Sequence, residues 1–396
     1  MNANISLPAV QKFLSDRLKN DVHKIALSKS PFSEVSSQEL AEQLDSKQRA
    51  EKKLPLWFHT SGIIFPPKLS IEQCSSELTA EYKSGLVKGD KLIDLTGGFG
   101  VDAYYFSRNA VQVIHCERDE TLSLIAKHNA EILCAENITF INADSIDYLQ
   151  NSNDNFDTIY IDPSRRIQTK KVFLLQDTEP NVVANLQLLL SKAPRIIIKT
   201  SPLFDIQSGL KELCNVSEVH VVSVKNDCKE LLWAIDKGFS GEASIICSAL
   251  AKAEESTFSF KLSEEKKLNI NLYTPPRAFL YEPDVALLKA GCFKSITHHY
   301  QVDKLHPSTH LYTSDLLKQA FIGKVFSVKS VLDYKAFFKG NKVKKANIIS
   351  RNFPLSPDEI KKKHKIVDGG EDYLIFTRVF PNSLVVIHCC LNIVTD

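Results

Sequence analysis

The chain has 396 residues, of which 43% are apolar and 24% charged, and a net charge of +2. This composition is typical of a globular protein with several folding units, and no apolar run approaches the roughly 18 residues that a membrane-spanning helix needs. Charged residues interrupt the N-terminal apolar runs, and none of the nine cysteines forms a C-x-x-C pair. We therefore expect a cytoplasmic protein with reduced thiols and no membrane partner.

The first element predicted is a helical segment over residues 1–68. Its apolar side chains recur at three-to-four spacing, and Ser36 with Glu39 forms a capping-box pattern. A further helix is predicted to begin at Ser70, with Gln73 as its capping partner, and to run through the sequence SIEQCSSELTAEYKSGL.

Short β-branched runs then alternate with helical stretches. The runs are KLIDL, VQVIHCE, NITFINAD, FDTIYIDP, RIIIKTSP and EVHVVSV, followed by LLWAID and ASIICSAL. This alternation predicts an α/β fold with a Rossmann-like, mostly parallel sheet over residues 69–274. In such sheets ligands bind outside the carboxyl ends of the strands, at the point where the strand order reverses.

The segment DLTGGFGVDA joins the first predicted strand to a helix. Its glycines, Gly97, Gly98 and Gly100, allow a tight turn and close ligand approach. Asp94 precedes the turn, and Glu117 ends the next strand 23 residues later. The second carboxylate is suited to binding the two hydroxyls of a ribose.

Four acidic residues decide which cofactor fits this crevice. Asp94, Glu117, Asp144 and Asp162 end four consecutive predicted strands. A dinucleotide would bring a pyrophosphate beside these carboxylates, at a cost of about a kcal/mol or more for each. The ammonium and sulfonium of S-adenosylmethionine suit the acids better, and Asp144 is placed to meet the adenine amino group. The sequence therefore predicts S-adenosylmethionine as cofactor.

These residues give the chain a recognisable resemblance. It resembles class I S-adenosylmethionine-dependent methyltransferases, and more closely an uncharacterised bacterial family with a ferredoxin-like insert and a C-terminal THUMP-like domain. The blocks that carry it are EQCSSELTAEYK, DLTGGFGVD, YIDPSRR, KTSPLFDI, NDCKELL, YEPDVALLKAG and SRNFP. The resemblance implies smaller α+β modules, a ferredoxin-like one at 275–320 and a THUMP-like one at 321–396. It also implies an RNA substrate, tRNA or rRNA.

The charge of the last module agrees independently with an RNA partner. Residues 321–396 hold 13 Lys or Arg against 7 acids, a difference of +6, which leaves −4 for the remainder of the chain. Lysine clusters contact phosphate without choosing a base sequence. A lysine-rich solvated surface explains the same count, and this alternative stays open.

The motif YIDPSRR occupies the place where amino-methylating enzymes carry Asp or Asn, two prolines and an aromatic residue. Asp162, Pro163 and Arg165 are therefore the predicted catalytic residues, with Asp162 also close to the methyl donor. Arg165 replaces the aromatic residue, and a guanidinium can stack on a base or bind phosphate. Arg166 is predicted to bind substrate phosphate. Either arginine could instead pair with a nearby acid, Asp177 or Glu179.

Four further residues are predicted substrate contacts. Lys199 and Ser201 follow the fifth strand, where a lysine can equally form a structural pair with an acid. Arg351 and Asn352 lie in SRNFP.

KTSPLF lacks the cysteine that carbon-5 uridine methyltransferases need. The histidines of residues 298–310 have no carboxylate or cysteine at ligand spacing, so no metal is predicted.

The sequence thus predicts an S-adenosylmethionine-dependent methyltransferase acting on structured RNA. One alternative is a methyltransferase of a small molecule or a protein, and another is a non-catalytic RNA-binding protein on a methyltransferase fold. The base, the atom methylated and the oligomeric state are left open.

Overall fold

The computed structural model describes residues 1–165, 174–251, 255–270, 272–340 and 343–392. The chain forms two compact units. The first consists of Met1–Glu218 and Leu231–Gly241, and the second of Val219–Glu230 and Glu242–Asp396. The predicted N-terminal segment lies in the first unit, and the two predicted C-terminal modules lie in the second.

Helices account for most of the N-terminal segment and alternate with strands after it. They are α1 (Pro8–Ser15), α2 (Val22–Leu27), α3 (Ser37–Lys53), α4 (Pro55–His59), α5 (Lys68–Gln73), α6 (Glu77–Ser84), α7 (Val101–Ser107), α8 (Glu120–Ile132), α9 (Ser145–Asn151), α10 (Val182–Lys192), α11 (Ile206–Glu212), α12 (Leu262–Lys267), α13 (Val285–Ala290), α14 (Phe293–Tyr300), α15 (Tyr334–Gly340) and α16 (Pro357–His364). Short 3-10 helices span Ala3–Ser6 and Leu175–Asp177.

The strands start where the sequence predicted the first β-branched run. They are β1 (Lys91–Asp94), β2 (Gln112–Cys116), β3 (Ile138–Ile141), β4 (Thr158–Ile161), β5 (Ser164–Arg165), β6 (Thr178–Glu179), β7 (Arg195–Thr200), β8 (Val216–Val224), β9 (Asp227–Asp236), β10 (Ser244–Leu250), β11 (Glu255–Lys261), β12 (Phe279–Pro283), β13 (Asp303–His306), β14 (Thr309–Ser314), β15 (Gly323–Asp333), β16 (Asn347–Arg351), β17 (Asp372–Val379) and β18 (Ser383–Leu391).

A twisted α/β sheet forms the centre of the first unit, in the strand order β9-β7-β4-β1-β2-β3. The five strands from β7 to β3 pair in parallel, and β9 pairs antiparallel with β7. The chain moves outward from β1 through β2 and β3, then returns to place β4 on the other side of β1. The order therefore reverses between β1 and β4, as the predicted Rossmann-like fold requires.

The N-terminal helices pack against the glycine segment. Ser36 and Glu39 form the predicted capping box of α3. Trp57 is 1% exposed, and its ring centroid lies 6.4 Å from that of Phe99 and 5.1 Å from that of Tyr104. Packing of Trp57 against Phe99 and Tyr104 holds the N-terminal helices against the glycine segment and α7, because it removes a large apolar area from water.

One predicted helix is two helices in the structure. The sequence predicted a single helix from Ser70, but α5 ends at Gln73 and α6 begins after Ser76. Ser76 Oγ accepts a hydrogen bond from the Thr79 backbone N–H at 3.3 Å, and this capping box starts a new helix. The prediction was wrong here, because a serine that favours a helix start stands inside the apolar pattern.

The second unit contains a seven-stranded sheet with the order β13-β14-β12-β15-β18-β17-β16. Strand β15 pairs with β12 on one side and β18 on the other, both antiparallel. The smaller C-terminal α+β modules predicted from sequence therefore share one sheet. Among the described residues, no helix is both long and apolar enough to cross a membrane. The cytoplasmic location stays a prediction.

Candidate functional site

A cleft of about 570 Å³ lies in the first unit, at the carboxyl ends of β1, β2, β3 and β4. The residues that follow these strands line it, together with the link between α5 and α6 and the strand β6. Glu117, Asp144 and Asp162 are among the lining residues, as are Gly97, Gly98 and Gly100. The strand order thus brings together most of the predicted cofactor residues.

Two positions of the glycine turn, Gly97 and Gly100, require a residue without a side chain. A Cβ atom at Gly97 would overlap the ring of His115. Gly100 has φ +82° and is the N-cap of α7, a conformation that residues with a Cβ rarely adopt. His115 is fully buried and its pKa is lowered, because burial disfavours the imidazolium. The His115 ring therefore packs against the glycine turn as a neutral imidazole.

Glu117 is fixed by the turn that it faces. Its Oε2 accepts a hydrogen bond from the Gly98 N–H at 2.9 Å, and Oε1 accepts one from the Asp119 N–H at 2.8 Å. Carboxylate oxygens have two lone pairs each, so both can accept a further hydrogen bond. Glu117 therefore presents a pre-oriented pair of acceptors at the end of β2.

Asp94 lies beneath the cleft and not at its rim. It is 1% exposed, and its Oδ1 accepts a hydrogen bond from the Thr96 N–H at 2.9 Å. Burial raises its pKa well above the usual range, and the negative charges of Asp102, Asp162 and Glu117 act in the same direction. The expectation of an ionised carboxylate at the rim is not met, because β1 is central in the sheet and its end is covered. A contact of Asp94 with cofactor stays a prediction.

Thr96 joins the ends of two neighbouring strands. Its Oγ1 accepts a hydrogen bond from the Asp162 N–H at 2.7 Å and lies 3.4 Å from Asp94 Oδ1. Sequence reasoning did not single out this threonine. The sequence did hold a signal for it, because Thr96 stands two residues after the strand-end Asp94. At this spacing an Asp side chain accepts a hydrogen bond from the backbone N–H of the later residue.

The predicted residues Asp162 and Lys199 meet in the structure. Lys199 Nζ donates a hydrogen bond to Asp162 Oδ2 in an ion pair, and the two side chains are 13% and 34% exposed, respectively. Asp162 lines the cleft, whereas Ser201 does not, and Ser201 Oγ accepts a hydrogen bond from the Leu203 N–H at 3.3 Å. The Lys199 ammonium thus balances the charge of the predicted catalytic carboxylate.

The rest of YIDPSRR is described only in part. Pro163 is buried, and the backbone of Arg165 pairs with Thr178 across the short strands β5 and β6. Arg166 lies outside the described residues. Glu179, one of the acids suggested as an arginine partner, forms an ion pair with Arg118 at 2.8 Å. The roles assigned to the three residues of the motif stay predictions.

A buried polar cluster adjoins the cleft and was missed from the sequence. The ammonium of Lys83, which is fully buried, lies 3.1 Å from Asp102 Oδ1 and donates to Ser75 Oγ at 2.7 Å. Ser75 Oγ in turn donates to Asp102 Oδ2 at 2.8 Å, and the hydroxyl of buried Tyr160 donates to the same atom at 3.1 Å. Ser75 and Asp102 both line the cleft.

The charge of Asp102 depends on this cluster. Burial raises the pKa of Asp102, but Lys83, Lys199 and the hydrogen bond from Ser75 together outweigh burial, and the pKa lies below its usual range. A carboxylate is therefore held ionised at the cleft wall. Two features of the sequence pointed to these residues. Asp102 follows the glycines within DLTGGFGVD, and Ser75 lies in the break between α5 and α6.

The two predicted substrate residues of the second unit are held by neighbours in that unit. Arg351 Nη2 lies 2.6 Å from Oε1 of buried Glu282. Asn352 has φ +51°, and its Nδ2 donates a hydrogen bond to Thr309 Oγ1 at 3.0 Å. Both side chains are exposed, so contact with a substrate stays a prediction for each.

No group of three or more His, Cys, Asp or Glu within the described ranges is arranged to hold a metal ion. The absence of a metal requirement stays a prediction from the sequence.

The buried cluster yields a stability prediction. Replacing Lys83 by Ala leaves the Asp102 carboxylate buried without its cation, which should lower the free energy of unfolding by about 3–5 kcal/mol. Urea denaturation followed by circular dichroism measures the change. Lys88→Ala is the matched control, because Lys88 is 61% exposed in its ion pair with Asp236 and should change stability by about 1 kcal/mol or less. Equal losses in the two variants would contradict a special role for Lys83.

Comparisons with known proteins agree with this architecture. A model of a ferredoxin-like domain matches residues 279–321, and a model of a THUMP domain-like family matches residues 323–390. An uncharacterized RNA methyltransferase of Mycoplasma mobile is 26% identical over 163 residues, which are 38% of this chain and 45% of that protein. The chain thus spans less than half the length of this curated relative.

A solved structure matches almost the whole chain. The crystal structure of a "putative methyltransferase" from Porphyromonas gingivalis W83 has a TM-score of 0.90 and 30% sequence identity, covering 99% of this chain and 99% of that one. The recognised resemblance and the predicted fold class are confirmed by these matches. The chain belongs to the methyltransferase family represented by that protein, with ferredoxin-like and THUMP-like domains in its C-terminal part.

Proposed function

We propose that this chain transfers a methyl group from S-adenosylmethionine to RNA, either tRNA or rRNA. The observation that carries the proposal is the cleft at the reversal of strand order, where the glycine turn and Glu117 hold each other in place. Open α/β sheets bind their ligands at this position. Membership of a methyltransferase family supports methyl transfer as the reaction.

The cleft residues fit the cofactor in shape. A Cβ added at Gly98 would meet only the Thr96 carbonyl oxygen, at 3.7 Å, so the space above the turn is open for a ligand. Glu117 would accept hydrogen bonds from the ribose hydroxyls. Asp144, which caps α9 through Oδ1, would meet the adenine amino group.

The cleft also fits the cofactor in charge. Among its described lining residues, six are carboxylates and one, Arg118, is a cation. The carboxylates are Asp102, Glu117, Asp144, Asp147, Asp162 and Glu179. Three of them are paired with cations, Asp102 with Lys83, Asp162 with Lys199 and Glu179 with Arg118, so Glu117, Asp144 and Asp147 give the wall its net negative charge. That charge attracts an ammonium and a sulfonium and repels the pyrophosphate of a dinucleotide. This supports S-adenosylmethionine over a nicotinamide or flavin dinucleotide.

Asp162 is the residue that we assign to the methyl acceptor. When bound, the cofactor would supply a methyl group on a positively charged sulfur; the acceptor atom would take the methyl group in line, and the sulfur would leave as a neutral thioether. Lys199 holds Asp162 Oδ2, so the carboxylate is fixed while it accepts a hydrogen bond from the acceptor group. Positioning of this kind supplies a large part of the acceleration in such displacements. Pro163 turns the backbone away, and Arg165 or Arg166 would bind substrate phosphate.

RNA as substrate is supported by the second unit. The THUMP-like match covers residues 323–390, and residues 321–396 carry a charge of +6. The relative from Mycoplasma mobile is named an RNA methyltransferase. Positive surfaces bind RNA through phosphate contacts, and Arg351 and Asn352 would add specific ones.

The test of the proposed function is a comparison of RNA from cells with and without the gene. Mass spectrometry of the digested nucleosides should show one methylated nucleoside that is present only with the gene. The purified protein with tritiated cofactor should then restore that nucleoside in RNA from the deletion strain. Label in a protein or small-molecule fraction would support the alternative substrates. Absence of label in every fraction would favour a non-catalytic RNA-binding protein.

A second prediction concerns the cofactor. Glu117→Ala should weaken S-adenosylmethionine binding by roughly 2 kcal/mol, since hydrogen bonds to charged groups contribute about 1.5–3 kcal/mol. Calorimetric titration of the folded variant measures the affinity. Glu120→Ala removes an exposed carboxylate from the first turn of α8 and is the matched control. Unchanged affinity in Glu117→Ala would remove Glu117 from the cofactor site.

A third prediction separates catalysis from binding. Asp162→Asn should lower kcat about tenfold to a hundredfold, the effect of losing one charge-assisted hydrogen bond in the transition state. Cofactor affinity should stay nearly intact. The assay is tritium transfer to RNA from the deletion strain, with Asp147→Asn as a control that removes a different cleft carboxylate. An Asp162→Asn enzyme with normal kcat would show that the acceptor does not contact this residue.

A further inference from the structure

The central strands β1 and β4 pair in parallel, but the chain separates from this pairing just where the cleft begins. The Leu95 N–H donates to the Tyr160 carbonyl oxygen at 3.0 Å, as a parallel ladder requires. The Gly97 N–H donates instead to the Cys116 carbonyl oxygen at 2.9 Å, so the chain after β1 has turned from β4 toward β2. The Asp162 N–H, which comes next in the ladder of β4, therefore needs an acceptor other than a carbonyl oxygen of β1.

Thr96 supplies this acceptor with its side chain. The Asp162 N–H donates to Thr96 Oγ1 at 2.7 Å. The Thr96 hydroxyl donates in turn to Asp94 Oδ1 at a longer 3.4 Å, and the Thr96 N–H donates to the same oxygen at 2.9 Å. A hydroxyl has one hydrogen and two lone pairs, so it can accept from one strand end and donate at the other. The side chain of Thr96 thus continues the link between β1 and β4 by one step.

This hydrogen bond joins the two halves of the cleft. Thr96 directly precedes the glycine turn, which is bonded to the end of β2 and to Glu117. Asp162, on the other side of the bond, is the residue assigned to the methyl acceptor. Both Thr96 and Asp162 line the cleft. A shift of Asp162 relative to the glycine turn would therefore change the distance between the methyl donor and its acceptor.

The ion pair with Lys199 does not by itself fix the position of Asp162. Lys199 holds Oδ2, at the far end of the Asp162 side chain, through a long side chain of its own. Pro163 follows and has no N–H, so the backbone cannot donate a hydrogen bond at that position. The backbone of Asp162 is thus held from the β1 side through its own N–H, and Thr96 is the acceptor.

We propose that Thr96 is a positioning residue for methyl transfer. Its hydroxyl fixes the backbone of Asp162, and through it the carboxylate that meets the acceptor, at a set distance from the cofactor. The inference rests on the proposed function and adds a residue that acts through Asp162. A misplacement of about 1 Å can cost about a hundredfold in rate, so the effect of Thr96 falls on kcat more than on binding.

The experiment compares Thr96→Val and Thr96→Ser with the wild type in the full chain. Valine keeps the branched shape and removes only the hydroxyl. Thr96→Val should lower kcat about tenfold to a hundredfold for tritium transfer to RNA from the deletion strain. The KM for RNA and the calorimetric affinity for S-adenosylmethionine should stay close to the wild-type values. Thr96→Ser keeps the hydroxyl and should retain most of the wild-type kcat.

Thr158→Val is the matched control, because Thr158 starts the strand that Asp162 follows. The Thr158 hydroxyl is buried, donates to the Lys88 carbonyl oxygen at 2.7 Å and accepts from the Lys88 N–H at 3.1 Å. Thr158→Val therefore also removes hydrogen bonds that join β4 to a neighbouring segment, but at the end of the strand away from the cleft. It should lower Tm at least as much as Thr96→Val and leave kcat unchanged.

Two further measurements test whether Thr96 acts through Asp162. The double variant Thr96→Val with Asp162→Asn should be no slower than Asp162→Asn alone, because residues that act as a unit are not additive. Hydrogen exchange of the Asp162 amide should be faster in Thr96→Val and unchanged in Thr158→Val. Mass spectrometry of overlapping peptides resolves this amide, since Pro163 has no amide hydrogen.

The outcomes separate this inference from the proposed function. A normal kcat in Thr96→Val, with a wild-type protein that methylates RNA, overturns the inference alone. A lower kcat with unchanged exchange at Asp162, or with additive effects in the double variant, also overturns it, because Thr96 then acts without Asp162. A wild-type protein that methylates no RNA refutes the proposed function and overturns the inference with it.

Discussion

The hydrogen bond from the Gly98 N–H to Glu117 Oε2 links the two features on which the cleft depends. It can form because Gly97 has no side chain, which leaves room for the buried ring of His115. The same turn ends at Gly100, where the left-handed conformation starts α7. The ends of β1 and β2 are therefore locked together. The acid at the end of β2 is oriented by the backbone and needs no ligand to find its place.

Three acidic residues near the cleft differ in how the fold accommodates their charge. Asp94 is buried, and burial raises its pKa, because a carboxylate without water around it is costly. Asp102 stays ionised because Lys83 is buried beside it. Asp162 is paired with Lys199 but remains partly exposed to the cleft. Of the three, Asp162 has the most exposed side chain, so burial decides which of these acids a ligand in the cleft can meet directly.

In the second unit the ferredoxin-like and THUMP-like regions form one seven-stranded sheet. Strand β15 pairs with β12 from the ferredoxin-like region and with β18 from the THUMP-like region. Because β15 pairs with strands of both regions, the two regions lie in one sheet. The hydrogen bonds through Thr309 then fix residues from the two regions relative to each other.

The sequence by itself determined the alternation of strands and helices, the glycine turn and the acids that follow the strands. These features are local, since they depend on β-branched runs, on residues without a Cβ atom and on polar residues at strand ends. Ser36 and Glu39 predicted a helix start correctly for the same reason. The break between α5 and α6 was missed because Ser76 competes locally with an apolar pattern that favours one long helix.

Only the tertiary structure decided which of these residues share a site and in which state of charge. Asp94 looked like a rim carboxylate in sequence, but the central position of β1 buries it. Lys83 and Asp102 are 19 positions apart, and Tyr160 is far from both in sequence. Their cluster exists because packing of α6 and α7 and the order of the sheet place them together. Burial and long-range pairing arise from the whole fold, and no local pattern encodes them.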